Sequence, residues 1–186
     1  MNKIQKPTLE EVKAIDLSPL YPLAVDNADN RRLLRGEAGV EHYKLLAWFS
    51  KQYNDAFIVE IGTLGGLGTI ALSYNPSNKV VTFDIRDHNW GNETPINAEK
   101  KLVYEGYMDE VTKADLIFYD AAHEGIEEQQ FLDGLIERDW HGVVVWDDIH
   151  LNPMMEQFWK DCVDAGLDCH DWTDLGHSCG TGVIFL

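Results

Sequence analysis

The chain is poor in basic residues and has no long apolar run. Its 15 lysines and arginines stand against 32 aspartates and glutamates, which gives a net charge of −17. Such a charge repels nucleic acid and anionic membranes, so a small molecule is the favoured partner. No stretch approaches the roughly 18 consecutive apolar residues of a membrane span, and the polar first 13 residues do not resemble a leader peptide. We therefore expect a cytoplasmic protein that binds neither nucleic acid nor membrane.

Cysteine is also scarce. Cys162, Cys169 and Cys179 are odd in number and lack CxxC spacing, which disfavours a disulfide framework or a zinc knuckle. The 186 residues are enough for one domain with its own core and too few for two ordinary ones. The apolar content of 45% is typical of a globular chain.

The most informative segment is F-I-V-E-I-G-T-L-G-G-L-G, residues 57–68. Its β-branched first half predicts a buried strand of a parallel sheet. The glycines that follow permit a sharp turn and a close approach of the backbone to a ligand. A helical pattern comes next, whose first N–H groups would face that ligand. This order is typical of a nucleotide-type cofactor site, and the candidate cofactor-binding residues in it are Glu60, Gly62, Thr63, Gly65 and Gly66.

Strand-like and helical patterns alternate along the rest of the chain. Strands are predicted at 57–61, 80–84, 115–120 and 142–147, with a weak one at 102–104. Helices are predicted at 40–53, 66–74, 126–138 and 153–165, and a capping box at Thr8 predicts a short helix before a loop over 18–29.

The end of the chain departs from this alternation. The strand-like runs 167–172 and 182–186 are joined by too few residues for a crossover helix, so we expect an antiparallel hairpin. The whole pattern predicts a single-domain α/β fold with a doubly wound, mostly parallel, Rossmann-like sheet ending in that hairpin. Residues 1–39 would form an N-terminal helix and loop extension, and residues 40–186 the cofactor-binding domain.

Each well-predicted parallel strand ends in a carboxylate, at the edge where open α/β sheets bind ligands. Asp84 lies 22 residues beyond Gly62, where an acid commonly bonds ribose hydroxyls. Asp120, Asp147 and Asp148 would lie on neighbouring strands about 4.8 Å apart and could share Mg²⁺ or another divalent cation. Alternatively, Asp147 and Asp148 point to opposite faces and only one reaches the pocket.

Two histidines follow these strand ends. His123 and His150 could each act as a general base, bind a metal or be simple loop residues. We favour His150 as the base. Trp90, in the loop after the second strand, either covers the cofactor or packs in the interior.

These residues together resemble the class I S-adenosylmethionine-dependent methyltransferases. The segment E-I-G-T-L-G-G, residues 60–66, is similar to that family's first motif, whose glycines pass under the methionine part of the cofactor. Asp84 matches the acid that holds the ribose. The resemblance covers about residues 40–186 and implies S-adenosylmethionine as the cofactor, with Asp120 also at the cofactor site.

The second half resembles metal-dependent small-molecule O-methyltransferases. In D-L-I-F-Y-D-A-A-H (115–123) and V-V-V-W-D-D-I-H (143–150), Asp120, Asp147 and Asp148 fall on the Mg²⁺ ligands of catechol-type enzymes, with aspartate replacing an asparagine. The Asp-Asp-x-His ending is closer to the macrolide-sugar O-methyltransferase and cephalosporin-hydroxylase-like group, in which the histidine is a plausible base. The resemblance implies metal-assisted O-methylation, with Asp120 and His150 catalytic.

One departure leaves the acceptor unassigned. Catechol-type enzymes present a lysine near the acceptor, whereas here His123 stands near Asp120. The acceptor is expected to be a small hydroxylated molecule, and the small chain is compatible with a homodimer.

Other functions stay open. Residues 66–71 formally fit the GxGxxA pattern of an NAD-dependent oxidoreductase, but the first glycine lies five residues past the strand and no Tyr-x-x-x-Lys pair follows. A non-catalytic S-adenosylmethionine-binding protein, or another reaction on the same fold, is also compatible with the sequence.

Overall fold

A computed structural model describes residues 4–24, 34–36, 42–88 and 94–186. The predictions for Trp90 and for the helix start at Val40 lie outside these ranges. Seven strands form the sheet: Phe57–Ile61 (β1), Lys79–Asp84 (β2), Ala98–Leu102 (β3), Leu116–Tyr119 (β4), Val143–Asp147 (β5), Asp168–Asp171 (β6) and Thr181–Phe185 (β7).

The helices lie mostly between the strands. They are Leu9–Lys13 (α1), Tyr43–Gln52 (α2), Leu67–Leu72 (α3), Met108–Val111 (α4), Ile126–Glu137 (α5) and Pro153–Asp164 (α6), with a 3-10 helix at Ser18–Leu23. The capping box at Thr8 is confirmed, since its hydroxyl accepts from the Glu11 N–H and the Glu11 carboxylate accepts from the Thr8 N–H. None of these helices is long and apolar enough to cross a membrane.

The strand order is β3-β2-β1-β4-β5-β7-β6. Pairing is parallel from β3 to β5, whereas β7 runs antiparallel to both β5 and β6. This confirms the mostly parallel sheet with a terminal antiparallel hairpin. From β1 the chain adds β2 and β3 on one side of the sheet, and it then adds β4 and β5 on the other side. This reversal of strand order opens a crevice at the carboxyl ends of β1 and β4, which is the usual ligand position in such a sheet.

Apolar layers cover both faces of the sheet. Alternate residues of each strand point to opposite sides, so Ile58 packs under α2 and α3 while Val59 packs under α5 and α6. The N-terminal segment adds a third cluster, in which Ile15 and Leu17 pack with Ile70 of α3. Both faces are therefore closed, and the strand ends are left as the place for a site.

Three local predictions need correction. The third strand is Ala98–Leu102 and not 102–104, because the polar sequence A-E-K-K-L lies at an edge of the sheet, where neither face must be apolar. Residues 18–23 form a 3-10 helix with Pro19 in its first turn instead of a loop. Helix α4 is a single turn of four residues that the sequence did not predict.

Candidate functional site

The glycine loop begins where β1 meets the end of β4. Gly62 has φ +97°, and its N–H donates to the Phe83 carbonyl at 2.8 Å. A Cβ at this position would overlap the backbone carbonyl of Asp120. Gly62 is therefore required by the approach of two strand ends, whether or not a ligand is bound.

Asp84, at the end of β2, fixes the loop. Its Oδ2 accepts from the N–H groups of Thr63 and Leu64 at 2.9 and 3.1 Å, and its Oδ1 accepts from Arg86 N–H at 2.9 Å. Partial burial opposes ionisation, but these three donors outweigh it and hold the pKa of Asp84 below its usual value. The charged carboxylate thus organises the loop and still faces the crevice.

The other loop residues differ in exposure. Gly66 has φ +75° and starts α3, whereas a Cβ at Gly65 would meet no atom within 4 Å. Thr63 is buried, and its hydroxyl lies 2.7 Å from that of Thr82. Gly65 therefore has open space beside it.

Glu60 lies away from the crevice. Its side chain is 1% exposed, accepts a hydrogen bond from the Thr69 hydroxyl and fills the space beside Gly68 at the start of α3. Burial raises its pKa to about 8, although the Thr69 bond opposes this. The geometry places Glu60 beneath the loop, where it supports α3.

A cavity of about 610 Å³ opens at the carboxyl ends of β1, β2 and β4. Gly62, Asp84 and Asp120 lie on its wall, and apolar side chains at Leu64, Ile85 and Val103 line it as well. Leu64 and Ile85 are 72% and 79% exposed and so offer apolar surface to the cavity. Apolar walls with a few convergent polar groups are typical of a small-molecule site.

Next to this cavity lies a group of acids and histidines that we call the Asp–His cluster. Its members are His42, Asp120, His123, Asp147, Asp148 and His177.

The cluster brings together three carboxylates and three histidines from four parts of the chain. His42 precedes α2, Asp120 and His123 follow β4, Asp147 ends β5 with Asp148 next to it, and His177 precedes β7. All three acids predicted as metal ligands belong to the cluster, but among the described residues no group of three ligand atoms within 4.8 Å of one another contains Asp120.

Electrostatic coupling within the cluster shifts the pKa values of its acids in opposite directions. Burial would raise the pKa of Asp147, but the charge of His42 and hydrogen bonds from His177 and His42 outweigh burial and lower it. Burial raises the pKa of Asp120 and Asp148, and repulsion from Asp147 adds to it. Three carboxylates this close thus depend on neighbouring positive charge.

His123 lies between two of the acids. Its Nε2 is 3.4 Å from Asp120 Oδ1, and its Nδ1 is 3.8 Å from Asp148 Oδ2. The hydrogen bond to Asp120 raises the pKa of His123 despite partial burial. The carboxyl group of Glu128 accepts from the His123 backbone N–H at 2.7 Å, and the Asn152 side chain donates to the His123 backbone carbonyl, so the backbone of His123 is held in place.

His150 points away from the cluster. Its Nε2 lies 2.9 Å from Asp171 Oδ2, on the β6 side of the sheet. The histidines that do reach the cluster, besides His123, are His42 and His177, and sequence reasoning missed both. His177 sits in the glycine-bounded segment G-H-S-C-G before a strand, which is a usable signal.

Comparison with solved structures identifies the same fold in other proteins. SAH-bound methyltransferase PaMTH1 of Podospora anserina superposes with a TM-score of 0.56 at 13% identity, over 98% of this chain and 89% of that one. A SAM-dependent O-methyltransferase of Thermotoga maritima gives 0.53 at 12% identity, over 77% and 63%. Precorrin-6y C5,15-methyltransferase of Geobacter metallireducens gives 0.51 at 13%, over 77% and 85%.

No protein-family model matches the chain, and no curated protein matches its sequence. At identities this low, the likeness concerns the fold. The chain has the single-domain α/β fold seen in these methyltransferases, with the reversed β7 between β5 and β6.

Proposed function

We propose, for a chain with this fold, that the protein is an S-adenosylmethionine-dependent methyltransferase that methylates a hydroxyl of a small molecule. The observation that carries the proposal is the contact between two features at one sheet edge: a cavity bounded by the glycine loop and Asp84, and the Asp–His cluster beside it, with Asp120 in both. The similar fold of SAH-bound PaMTH1 supports the choice of cofactor, since SAH is the product that S-adenosylmethionine leaves after methyl transfer.

In this proposal the cavity holds the cofactor. The Asp84 carboxylate accepts three backbone N–H groups, which leaves acceptor capacity for a ribose hydroxyl. Ile85 and Val103 offer apolar surface to the adenine. Gly65 leaves the space in which the methionine part passes the loop. The sulfonium methyl would then point toward Asp120 and the cluster.

The cluster would receive the acceptor hydroxyl. His123 takes its proton, because its backbone is fixed beside the cavity and Asp120, 3.4 Å from its Nε2, stabilises the imidazolium that forms. This role passes to His123 from His150, whose ring is bonded to Asp171. The acceptor oxygen attacks the sulfonium methyl in line, so the protein contributes mainly by positioning the two partners.

We include a divalent cation in the proposal. Repulsion from Asp147 adds to burial in raising the pKa of Asp120 and of Asp148, and a bound cation would relieve that repulsion. Such a cation supplies charge that lowers the pKa of the acceptor hydroxyl. Among the described residues, the ligand atoms that lie within 4.8 Å of one another are those of His42, Asp147 and His177 and those of Asp148, His177 and Cys179. A cation here would therefore have a mixed set of ligands and not the all-oxygen set typical of Mg²⁺.

The proposal is tested by calorimetric titration of the purified protein with S-adenosylmethionine, with and without divalent cation, and with NADH as the control. Micromolar binding of S-adenosylmethionine and none of NADH is expected. Methyl transfer to a panel of sugars, polyols and catechols then tests the reaction. Absence of S-adenosylmethionine binding in every condition would refute the proposal, whereas binding without transfer to any acceptor would favour a non-catalytic binding protein.

A further inference from the structure

Within the Asp–His cluster, two histidines from distant parts of the chain lie close to the same carboxylate oxygen. His42 Nδ1 lies 3.2 Å from Asp147 Oδ1, and His177 Nε2 lies 2.7 Å from the same oxygen. The side chains of His42 and Asp147 are 8% and 6% exposed, and that of His177 is 19% exposed. The three donor atoms lie within 4.8 Å of one another.

These separations suit a shared metal ion. Two donors that each lie about 2.1 Å from one ion are about 3.0 Å apart at an octahedral angle and about 3.4 Å apart at a tetrahedral one. The 3.2 Å distance from His42 to Asp147 lies in that range, whereas the 2.7 Å distance from His177 is that of a hydrogen bond and would have to lengthen by about 0.3 Å on ion binding. Asp148 Oδ1 is 3.6 Å from His177 Nε2 and can supply a further ligand on the more exposed side.

We propose that His42, Asp147 and His177 form a binding site for a divalent transition-metal ion of the Zn²⁺, Co²⁺ and Mn²⁺ class, in preference to Mg²⁺. Imidazole nitrogen is a ligand that Zn²⁺ and its neighbours accept and that Mg²⁺ avoids. This site differs from the all-oxygen triad that the sequence suggested, because only Asp147 is shared. The metal site goes beyond the proposed function, since ion binding can be measured whether or not the protein transfers a methyl group.

The competing arrangement is a hydrogen-bonded triad without an ion. The Cys179 N–H donates to His177 Nδ1 at 3.3 Å, so in the ion-free protein the proton of His177 lies on Nε2, toward Asp147. Ion binding at Nε2 displaces that proton, and Nδ1 takes one up. Ion binding therefore breaks the long hydrogen bond between the Cys179 N–H and His177 Nδ1, which is a small loss, so an ion can still bind at this site.

The test uses the full chain after treatment with a chelator, titrated separately with Zn²⁺, Co²⁺ and Mg²⁺ in a calorimeter. We expect one site per chain, with Zn²⁺ and Co²⁺ binding at least about 100-fold more tightly than Mg²⁺. Co²⁺ should also develop visible absorption bands of nitrogen and oxygen coordination. Mg²⁺ binding as tight as Zn²⁺ binding, or a Co²⁺ spectrum equal to that of the aqueous ion, would overturn the proposal.

Variants assign the ligands. His42→Gln and His177→Gln should each weaken Zn²⁺ binding by at least about tenfold. His170→Gln is the matched control, because His170 Nε2 also pairs with a carboxylate, Asp168 at 2.8 Å, outside the cluster. Equal Zn²⁺ affinity in all three variants would contradict the assignment. If circular dichroism shows that a variant is unfolded, the Co²⁺ spectrum of the unmodified protein is used to judge whether histidine nitrogen binds the ion. A separate titration with S-adenosylmethionine shows whether the cofactor proposal fails independently of the metal proposal.

Discussion

Substitution of Gly62 by alanine should destabilise the protein even though no ligand is involved. Gly62 has φ +97°, and an added Cβ would overlap the Asp120 carbonyl oxygen and lie 3.3 Å from the Ala121 Cβ. A side chain in this backbone region costs about 1–2 kcal/mol. Forcing two packed backbones apart adds about 1–3 kcal/mol. We therefore expect the free energy of unfolding to fall by roughly 2–5 kcal/mol.

Gly65→Ala is the matched control within the same loop. Gly65 lies outside the left-handed region, and its Cβ would meet no atom within 4 Å. Its stability should stay within about 1 kcal/mol of the unmodified protein. Urea unfolding followed by circular dichroism compares the two, and the melting temperature of Gly62→Ala should fall by roughly 4–20 °C for a domain of this size. Equal stability of the two variants would contradict the close approach of the Gly62 and Asp120 backbones.

Three other changes test the site. Asp84→Asn should weaken S-adenosylmethionine binding by at least about tenfold, because one charge-assisted hydrogen bond to the ligand is lost. Asp87→Asn, on the exposed surface, is the control and should leave binding unchanged. Equal titration curves for the two variants would show that Asp84 does not contact the cofactor. The pKa of Glu60 is 4.5 in the unfolded chain and about 8 in the folded protein. Between these pH values the folded protein keeps a proton that the unfolded chain has lost. The free energy of unfolding should therefore fall by up to about 5 kcal/mol as the pH rises from 4.5 to 8. Glu60→Gln should flatten that part of the stability–pH profile, and an unchanged slope would contradict the burial effect. His123→Gln should lower kcat by about 10²–10⁴-fold with unchanged cofactor affinity, whereas a parallel loss of both would indicate a structural role.

The sequence predicted the sheet well where strands are buried on both faces. In β1, β4 and β5 the β-branched and aromatic runs have no polar interruption other than Glu60, so their pattern is unambiguous. At the edge, β3 contains two lysines and a glutamate, and nothing in its pattern distinguishes it from a loop. Its register comes from pairing with β2, where Asp84 faces Leu102, and that information is tertiary.

Of the residues in the candidate site, only the acids could be predicted from the sequence. Asp84, Asp120 and Asp147 end or directly follow buried strands, and the rule that parallel strands share an edge is sufficient to bring them together. His42 lies before α2, in no recognisable motif, and reaches Asp147 only because α2 packs across the sheet. Glu60 illustrates the opposite case, since strand alternation turns it under α3 and away from the cavity.

The position of β7 has a consequence for the order in which the protein is made. Synthesis proceeds from the N-terminus, so β1 to β5 leave the ribosome before β7, which must then insert between β5 and β6. Until residues 181–185 have been synthesised, β5 keeps an open edge and β6 has no partner. His177 lies in the loop before β7, and Thr181, the first residue of β7, pairs with Asp147 across the ladder. The residues that line the cavity, the last of which is Glu127, are therefore all synthesised long before His177, so the Asp–His cluster is the last part of the site to receive its residues.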